Sequence, residues 1–163
     1  MGSVPVKTVF GSIDQYEKGR IEIVSGEARH YVFSNVFEVA ASSAPYEKVV
    51  VGKNMEYVIE ALRADGRSAW FTCAHDEFVI SMDGEVRVDF LKLDQPATGE
   101  GTVLAGPEPA GRPMGHILLG KGHQCLLPTG AAYRFTADRP CALVLQTVLG
   151  PLSVQKWKDI CLQ

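Results

Sequence analysis

Cys73, His75 and Glu77 alternate along one short stretch of the chain and offer a thiolate, an imidazole and a carboxylate. Alternate residues of a β-strand point to the same face of its sheet, so the three side chains can converge if this stretch is extended. Sulfur, nitrogen and oxygen donors of this kind bind transition metals. Together with Tyr133, which lies in a second segment rich in turn residues, they could form an atypical metal site.

The same residues also permit a structural interpretation. Glu77 can be a buried carboxylate that accepts a hydrogen bond from Tyr133 or from His75, because buried polar groups are almost always hydrogen-bonded. Cys73 can then fill space in the core as a small apolar side chain. Residue types and spacing are compatible with both interpretations.

Two longer patterns surround these residues. The first places Gly84 seven residues after Glu77, and the second runs from Gly122 through Pro128-Thr129-Gly130 to Tyr133. Over about residues 55–150, these patterns resemble the two conserved motifs of the cupin superfamily, G-x5-H-x-H-x3-4-E-x6-G and G-x5-P-x-G-x2-H-x3-N. The glycines, the proline and the glutamate of those motifs are present.

The histidines of those motifs are missing. Counting back from Glu77, the first-motif histidine positions fall at Phe71 and Cys73, or with the longer spacer at Trp70 and Thr72. The second-motif histidine position is Tyr133. Since a cupin iron site needs several imidazoles, the resemblance implies a degenerate site without metal or catalytic residues in this chain. Its members are Phe71, Cys73, His75, Glu77 and Tyr133.

A closer resemblance extends over most of the chain. Residues 46–57 (YEKVVVGKNMEY), 75–78 (HDEF) and 82–86 (MDGEV) resemble the small subunit of the two-component hydroquinone 1,2-dioxygenases. In that family a small cupin subunit pairs with a larger cupin subunit that carries non-haem Fe(II). The resemblance implies a heterotetrameric, ring-cleaving dioxygenase that acts on hydroquinone-type diphenols. This chain would hold no cofactor, would be inactive alone and would depend on the Fe(II) of its partner.

Two other classes of function stay open. A metal-free cupin epimerase or isomerase acting on sugars needs a general base such as a His–Asp pair. His75 is the inward candidate, but no Asp on the same face orients it. The second alternative is a small-molecule-binding or purely structural cupin.

The elements that would position these residues are short strands. Asp83-Gly84 between two β-rich runs predicts a type I′ hairpin in which Ser81 pairs with Val86. One face of that hairpin then carries Glu77, Val79, Ser81, Val86, Val88 and Phe90. Many short strands with glycine and proline turns indicate an all-β fold, a single jelly-roll-like cupin barrel.

The chain divides into three parts. Residues 1–45 are expected to be an N-terminal arm with short strands at 20–24 and 30–33, packing on the barrel or on a partner. Residues 46–153 form the barrel, with a loop at 95–114. Residues 154–163 are expected to be a short helix, because Val154, Trp157, Ile160 and Cys161 have helical spacing.

Apolar residues predict a surface for a partner. Phe78, Ile80 and Met82 share the strand face opposite Glu77, and an apolar face needs a cover, which is either the arm or another subunit. Trp70 lies just before the first motif, and tryptophan is enriched at interfaces. We expect self-association or docking of the larger subunit here, with Trp70 closing the partner's pocket.

Bulk composition limits the remaining options. A chain of 163 residues with 46% hydrophobic and 21% charged residues is typical of one globular domain. The net charge of −3 without a basic stripe argues against a nucleic-acid partner. No apolar run is long enough to span a bilayer, which argues against a membrane partner. Four cysteines without close pairing indicate a reducing compartment, the cytoplasm.

Overall fold

Ten strands and two short helices are present in the computed structural model, which describes residues 11–27 and 33–161. The strands are β1 (Lys48–Asn54), β2 (Tyr57–Arg67), β3 (Phe71–Cys73), β4 (Glu77–Ser81), β5 (Val86–Leu93), β6 (Thr102–Leu104), β7 (Gly111–Leu119), β8 (Gln124–Leu127), β9 (Ala131–Val148) and β10 (Ser153–Val154). The helices are α1 (Val36–Ser42) and α2 (Trp157–Ile160), and a single 3-10 turn covers Ile13–Gln15. The all-β prediction is confirmed.

The long strand β9 joins the two walls of the barrel. Its second half pairs with β2 on one side and β4 on the other, which gives a first wall in the order β10-β1-β2-β9-β4-β8. Its first half pairs with β3 and β5, which gives a second wall in the order β6-β3-β9-β5-β7. β9 is continuous over 18 residues.

The core lies between the two walls. Leu62, Val79 and Leu145 of the first wall meet Val88 and Phe135 of the second, and all five are buried. The predicted inward face is confirmed: Glu77, Val79, Ser81, Val86, Val88 and Phe90 are all buried. Burial of each large apolar side chain stabilises the fold by about 1.5–3 kcal/mol.

The predicted hairpin at Asp83-Gly84 is wrong. β4 pairs with β8 and β9, whereas β5 pairs with β7 and β9, so the segment between them crosses from one wall to the other. Neither Asp83 nor Gly84 has the positive φ that a type I′ turn requires. Asp83 instead accepts the backbone N–H of Ala142 at 2.7 Å. A glycine is needed because a Cβ at Gly84 would lie 2.5 Å from the Cβ of Cys141.

The N-terminal segment differs from the prediction. Residues 20–24 form no strand, and the strand expected at 30–33 lies mostly outside the described residues. A helix, α1, was missed. Asn35 caps it by accepting the backbone N–H groups of Phe37 and Glu38 at 3.0 and 3.3 Å, a favoured helix start.

The two helices cover one end of the first wall. Val39 of α1 and Ile160 of α2 pack on Val49, Val51 and Ala61, which point away from the barrel interior. The C-terminal helix is shorter than expected, since residues 153–154 pair with β1 as β10. The loop predicted at 95–114 also contains β6 and the start of β7. None of the helices in the described ranges is long and apolar enough to cross a membrane.

The wall crossing provides a test of the fold. Gly84→Ala should lower the free energy of unfolding by about 1–3 kcal/mol, because the new methyl group overlaps Cys141. Urea unfolding followed by circular dichroism measures this change. Gly11→Ala is the matched control, since a Cβ there meets nothing within 4 Å. Equal stability of the two variants would contradict the close approach.

Candidate functional site

The members of the predicted degenerate site meet inside the barrel. Phe71 and Cys73 lie on β3, Glu77 begins β4, and His75 lies in the bend between these strands. Tyr133 is the register partner of Phe71 across β3 and β9, and their ring centroids are 5.9 Å apart. Cys73, Glu77 and Tyr133 are buried, and His75 is half-buried.

The Glu77 carboxylate is held by two hydroxyl groups. Tyr133 donates to Oε2 at 2.6 Å, and Thr102 of β6 donates to Oε1 at 2.5 Å. Burial, together with the charge of Glu77 and the hydrogen bond to it, raises the pKa of Tyr133 well above its usual value, so the phenol keeps its proton. The hydrogen bond from Tyr133 to Glu77 that the structural interpretation required is therefore present.

His75 turns toward other partners. Its Nδ1 lies 3.1 Å from the Sγ of Cys73, and its Nε2 accepts the backbone N–H of Val148 at 3.2 Å. The hydroxyl of Thr147 lies 3.1 Å from the same Nε2. A backbone N–H can only donate, so Nε2 carries the lone pair and a neutral imidazole has its proton on Nδ1, toward the sulfur. Burial raises the pKa of the Cys73 thiol, which favours the uncharged form.

The hydrogen bonds of His75 and Glu77 determine which lone pairs are available to a metal ion at this site. One ligand atom each from Cys73, His75 and Glu77 lies within 4.8 Å of the others, so the three donors predicted from the sequence do converge. However, Nδ1 would have to lose its proton while Nε2 stays an acceptor, and a neutral imidazole cannot do both. Each oxygen of Glu77 already accepts a hydroxyl. In this arrangement both nitrogens of His75 are engaged, so His75 would have to exchange one of these contacts to become a metal ligand.

A second buried charged pair was missed by the sequence reasoning. Lys48 and Glu60 point into the barrel and are 2% and 0% exposed, with Nζ and Oε2 3.7 Å apart. Ser153 donates to the other Glu60 oxygen at 2.6 Å, and the Lys48 ammonium lies 4.8 Å from the centre of the Phe71 ring. Burial raises the pKa of Glu60, an effect that Lys48 partly offsets. The sequence signal that could have revealed this pair is a charged residue at an inward position of an otherwise apolar strand, Lys48 in β1 and Glu60 in β2.

The proposed interface residues lie on opposite sides of the barrel. Phe78 and Ile80 are on the outer face of the first wall, where they line a groove of about 370 Å³ with Ile59, Gln124, Val144 and Gln146. Phe78 is 43% exposed, and Met82 follows on the same side, half-buried. Trp70 is half-buried on the outer face of the second wall, where it stacks on Arg134. Trp70 and Phe78 therefore face away from each other across the barrel.

Comparison with known proteins assigns the barrel to a family. No protein-family model matches the chain, and no curated protein matches it. The crystal structure of hydroquinone 1,2-dioxygenase PnpCD in complex with Cd2+ and 4-hydroxybenzonitrile contains a chain that is 65% identical, with a TM-score of 0.88. The match covers 99% of this chain and 100% of that one. The chain belongs to the hydroquinone 1,2-dioxygenase family.

A second member of the family agrees. Hydroquinone 1,2-dioxygenase from Sphingomonas sp. TTNP3 with 4-hydroxybenzoate bound is 55% identical over 96% of this chain and 98% of that chain, with a TM-score of 0.86. A cupin-2 domain protein from Shewanella frigidimarina shares the fold at 18% identity and a TM-score of 0.50, covering 69% of this chain and 89% of that one. The cupin fold is therefore confirmed.

Hydroquinone 1,2-dioxygenases of this family also contain longer chains with the same fold. In PnpCD with Fe3+, 83% of this chain matches 38% of a longer chain at 14% identity and a TM-score of 0.58. The Sphingomonas enzyme with 4-nitrophenol gives 12% identity over the same shares and a TM-score of 0.60. At these identities the matches show the fold alone.

The Glu77 network provides a test of the site. Tyr133→Phe should lower the free energy of unfolding by about 1.5–3 kcal/mol, because a buried carboxylate loses one of its two donors. Urea unfolding at neutral pH measures the loss. Tyr46→Phe is the control, since that hydroxyl donates to the neutral carbonyl of Gly66 and should contribute only about 1 kcal/mol. A smaller loss for Tyr133→Phe than for the control would contradict the assigned role.

Proposed function

We propose that this chain is the small subunit of a two-component hydroquinone 1,2-dioxygenase that cleaves the ring of hydroquinone-type diphenols in aromatic degradation. The observation that carries the proposal is the match at 65% identity over the full length of a chain of such an enzyme. The larger subunit would be a second cupin, since a longer chain of the same enzyme has this fold. The complex would work in the cytoplasm.

The proposal places the catalytic Fe(II) in the larger subunit. In this chain the positions that correspond to metal ligands hold Phe71, Cys73 and Tyr133, and phenylalanine has no donor atom. His75 and Glu77 are already engaged by Val148, Tyr133 and Thr102. The interior of this barrel would serve stability, and the reacting iron, diphenol and O₂ would meet in the partner.

The outer faces supply the contacts of the proposed assembly. The groove at Phe78 and Ile80 is apolar and is not covered by α1 or α2, which pack on the adjacent part of that wall. It would dock another subunit, either a second copy or the larger chain, toward a heterotetramer. Trp70 on the other wall would close the partner's pocket. Residues 1–45 would be an arm, 46–153 the barrel and 154–163 a C-terminal segment that contains α2.

The epimerase alternative gains no support from the geometry. His75 contacts Cys73, Thr147 and Val148 rather than a carboxylate. Asp76 instead accepts the backbone N–H of Thr129 at 2.8 Å. A His–Asp general base is therefore absent from the barrel interior among the described residues.

Metal content tests the division of labour. The purified chain should contain no stoichiometric iron, zinc or manganese by elemental analysis, because its candidate ligands are hydrogen-bonded to one another and to the backbone. Stoichiometric metal would contradict this. If Cys73→Ala and Glu77→Ala then removed that metal, the atypical sulfur, nitrogen and oxygen site would be the correct interpretation.

Reconstitution tests the assembly. A larger cupin subunit that retains its histidines should be weakly active or unstable alone, and adding this chain should restore hydroquinone cleavage and O₂ uptake. Trp70→Ala should change activity or assembly, whereas Glu77→Ala should mainly lower the stability of this chain. Full activity of the larger subunit alone would refute the proposal.

The groove on the first wall has its own test. Phe78→Asp should weaken subunit association more than about tenfold, because a charge replaces an apolar anchor. Analytical ultracentrifugation of the chain with and without the larger subunit measures this. Met55→Asp is the matched control, an exposed apolar residue in the turn between β1 and β2 that does not line the groove. Unchanged association of Phe78→Asp would show that this groove is not an interface.

A further inference from the structure

A row of side chains crosses the outer face of the second wall and ends at Trp70. The guanidinium carbon of Arg134 lies 4.3 Å from the centre of the Trp70 ring. Behind it, an Nη of Arg134 lies 3.7 Å from an oxygen of Asp89. Asp89 is bound in turn by Arg87, whose Nη2 and Nε lie 2.7 and 2.8 Å from Oδ1.

The distances show what orients Arg134. Its separation from Asp89 exceeds a hydrogen-bond distance, and its buried Nε has no hydrogen-bond partner. The guanidinium carbon lies over the Trp70 ring, and this contact and the weak ion pair with Asp89 are the two interactions defined for the Arg134 head group. A guanidinium over a tryptophan face is a favourable pairing, strongest when the cation is partly withdrawn from water, and Arg134 is only 23% exposed.

The backbone under Trp70 is fixed as well. The carbonyl of Trp70 accepts the backbone N–H of Ala105 at 2.9 Å. The next residue, Phe71, points inward and packs on Tyr133, the neighbour of Arg134 on β9. Phe71 and Tyr133 thus form an aromatic pair inside the barrel. Trp70 and Arg134, the residues just before Phe71 and just after Tyr133, form a cation–aromatic pair outside it. The backbone of Trp70 is held by a hydrogen bond, and one face of its indole contacts Arg134. A side chain held in this way is preorganised to contribute to a neighbouring site.

We propose that Arg134 is a positioning residue that holds the indole of Trp70 in the orientation in which it meets the active-site pocket of the larger subunit. This inference rests on the proposed function, and it adds a residue that no motif of the sequence singled out. Asp89 supports the arrangement from behind. Arg134 itself would touch neither the diphenol nor the iron.

The test has one readout in the isolated chain and one in the complex. In a Trp157→Phe background, where Trp70 is the only tryptophan, Arg134→Gln and Arg134→Lys should red-shift the fluorescence and increase its quenching by acrylamide. In the reconstituted enzyme, both should raise KM for hydroquinone about two- to tenfold with little change in kcat, because the chemistry stays in the partner. Lysine keeps the charge but not the planar contact.

Controls separate the possible failures. Arg112→Gln removes an exposed arginine of β7 in the same wall but outside this row of side chains, and it should change neither readout. Adding Arg134→Gln to Trp70→Ala should have no further effect on KM. Unchanged fluorescence, or a KM effect that persists without Trp70, would overturn the positioning role. No cleavage by the wild-type mixture would instead refute the proposed function, and the fluorescence of the isolated chain would still decide whether Arg134 orients the indole.

Discussion

The rest of the structure depends on the buried carboxylate of Glu77. A charged group without partners in a protein interior costs several kcal/mol, so its place must be defined by donors. Here the donors are Tyr133 of β9 and Thr102 of β6, while Glu77 itself begins β4. One side chain therefore ties the first wall to the second, at the end of the barrel where the chain bends between β3 and β4.

The same centre explains why the barrel interior is a packed core. At positions where the superfamily motifs have histidines, this chain has the stacked pair Phe71 and Tyr133 and the thiol of Cys73. The two aromatic rings fill this part of the interior and contribute to the packing of the core. The buried Lys48–Glu60 pair extends this polar centre toward β1 and β2.

The two outer faces differ in chemistry. The first wall presents Phe78, Ile80 and Ile59 beside a region that α1 and α2 already cover. The second wall presents a row of charged groups that ends in the stacked Trp70 and Arg134. An apolar groove suits a stable contact between subunits, whereas a clamped aromatic suits a defined contribution to a neighbouring site. The groove and the Trp70–Arg134 pair lie on opposite walls of the barrel.

The sequence alone determined the all-β fold, the inward phase of Glu77, Val79 and Val88, and the absence of the motif histidines, because alternation and motif spacing are local properties. Only the tertiary structure decided which strands pair and which side chains contact one another. Asp83-Gly84 looked like a hairpin, but β9 pairs with both flanking strands and forces a crossing between walls. Long-range strand pairing alone brings Thr102 to Glu77 and buries Lys48 beside Glu60 in the same interior. Likewise, Trp70 and Phe78 are near in sequence yet on opposite faces, since a bend and a change of wall lie between them.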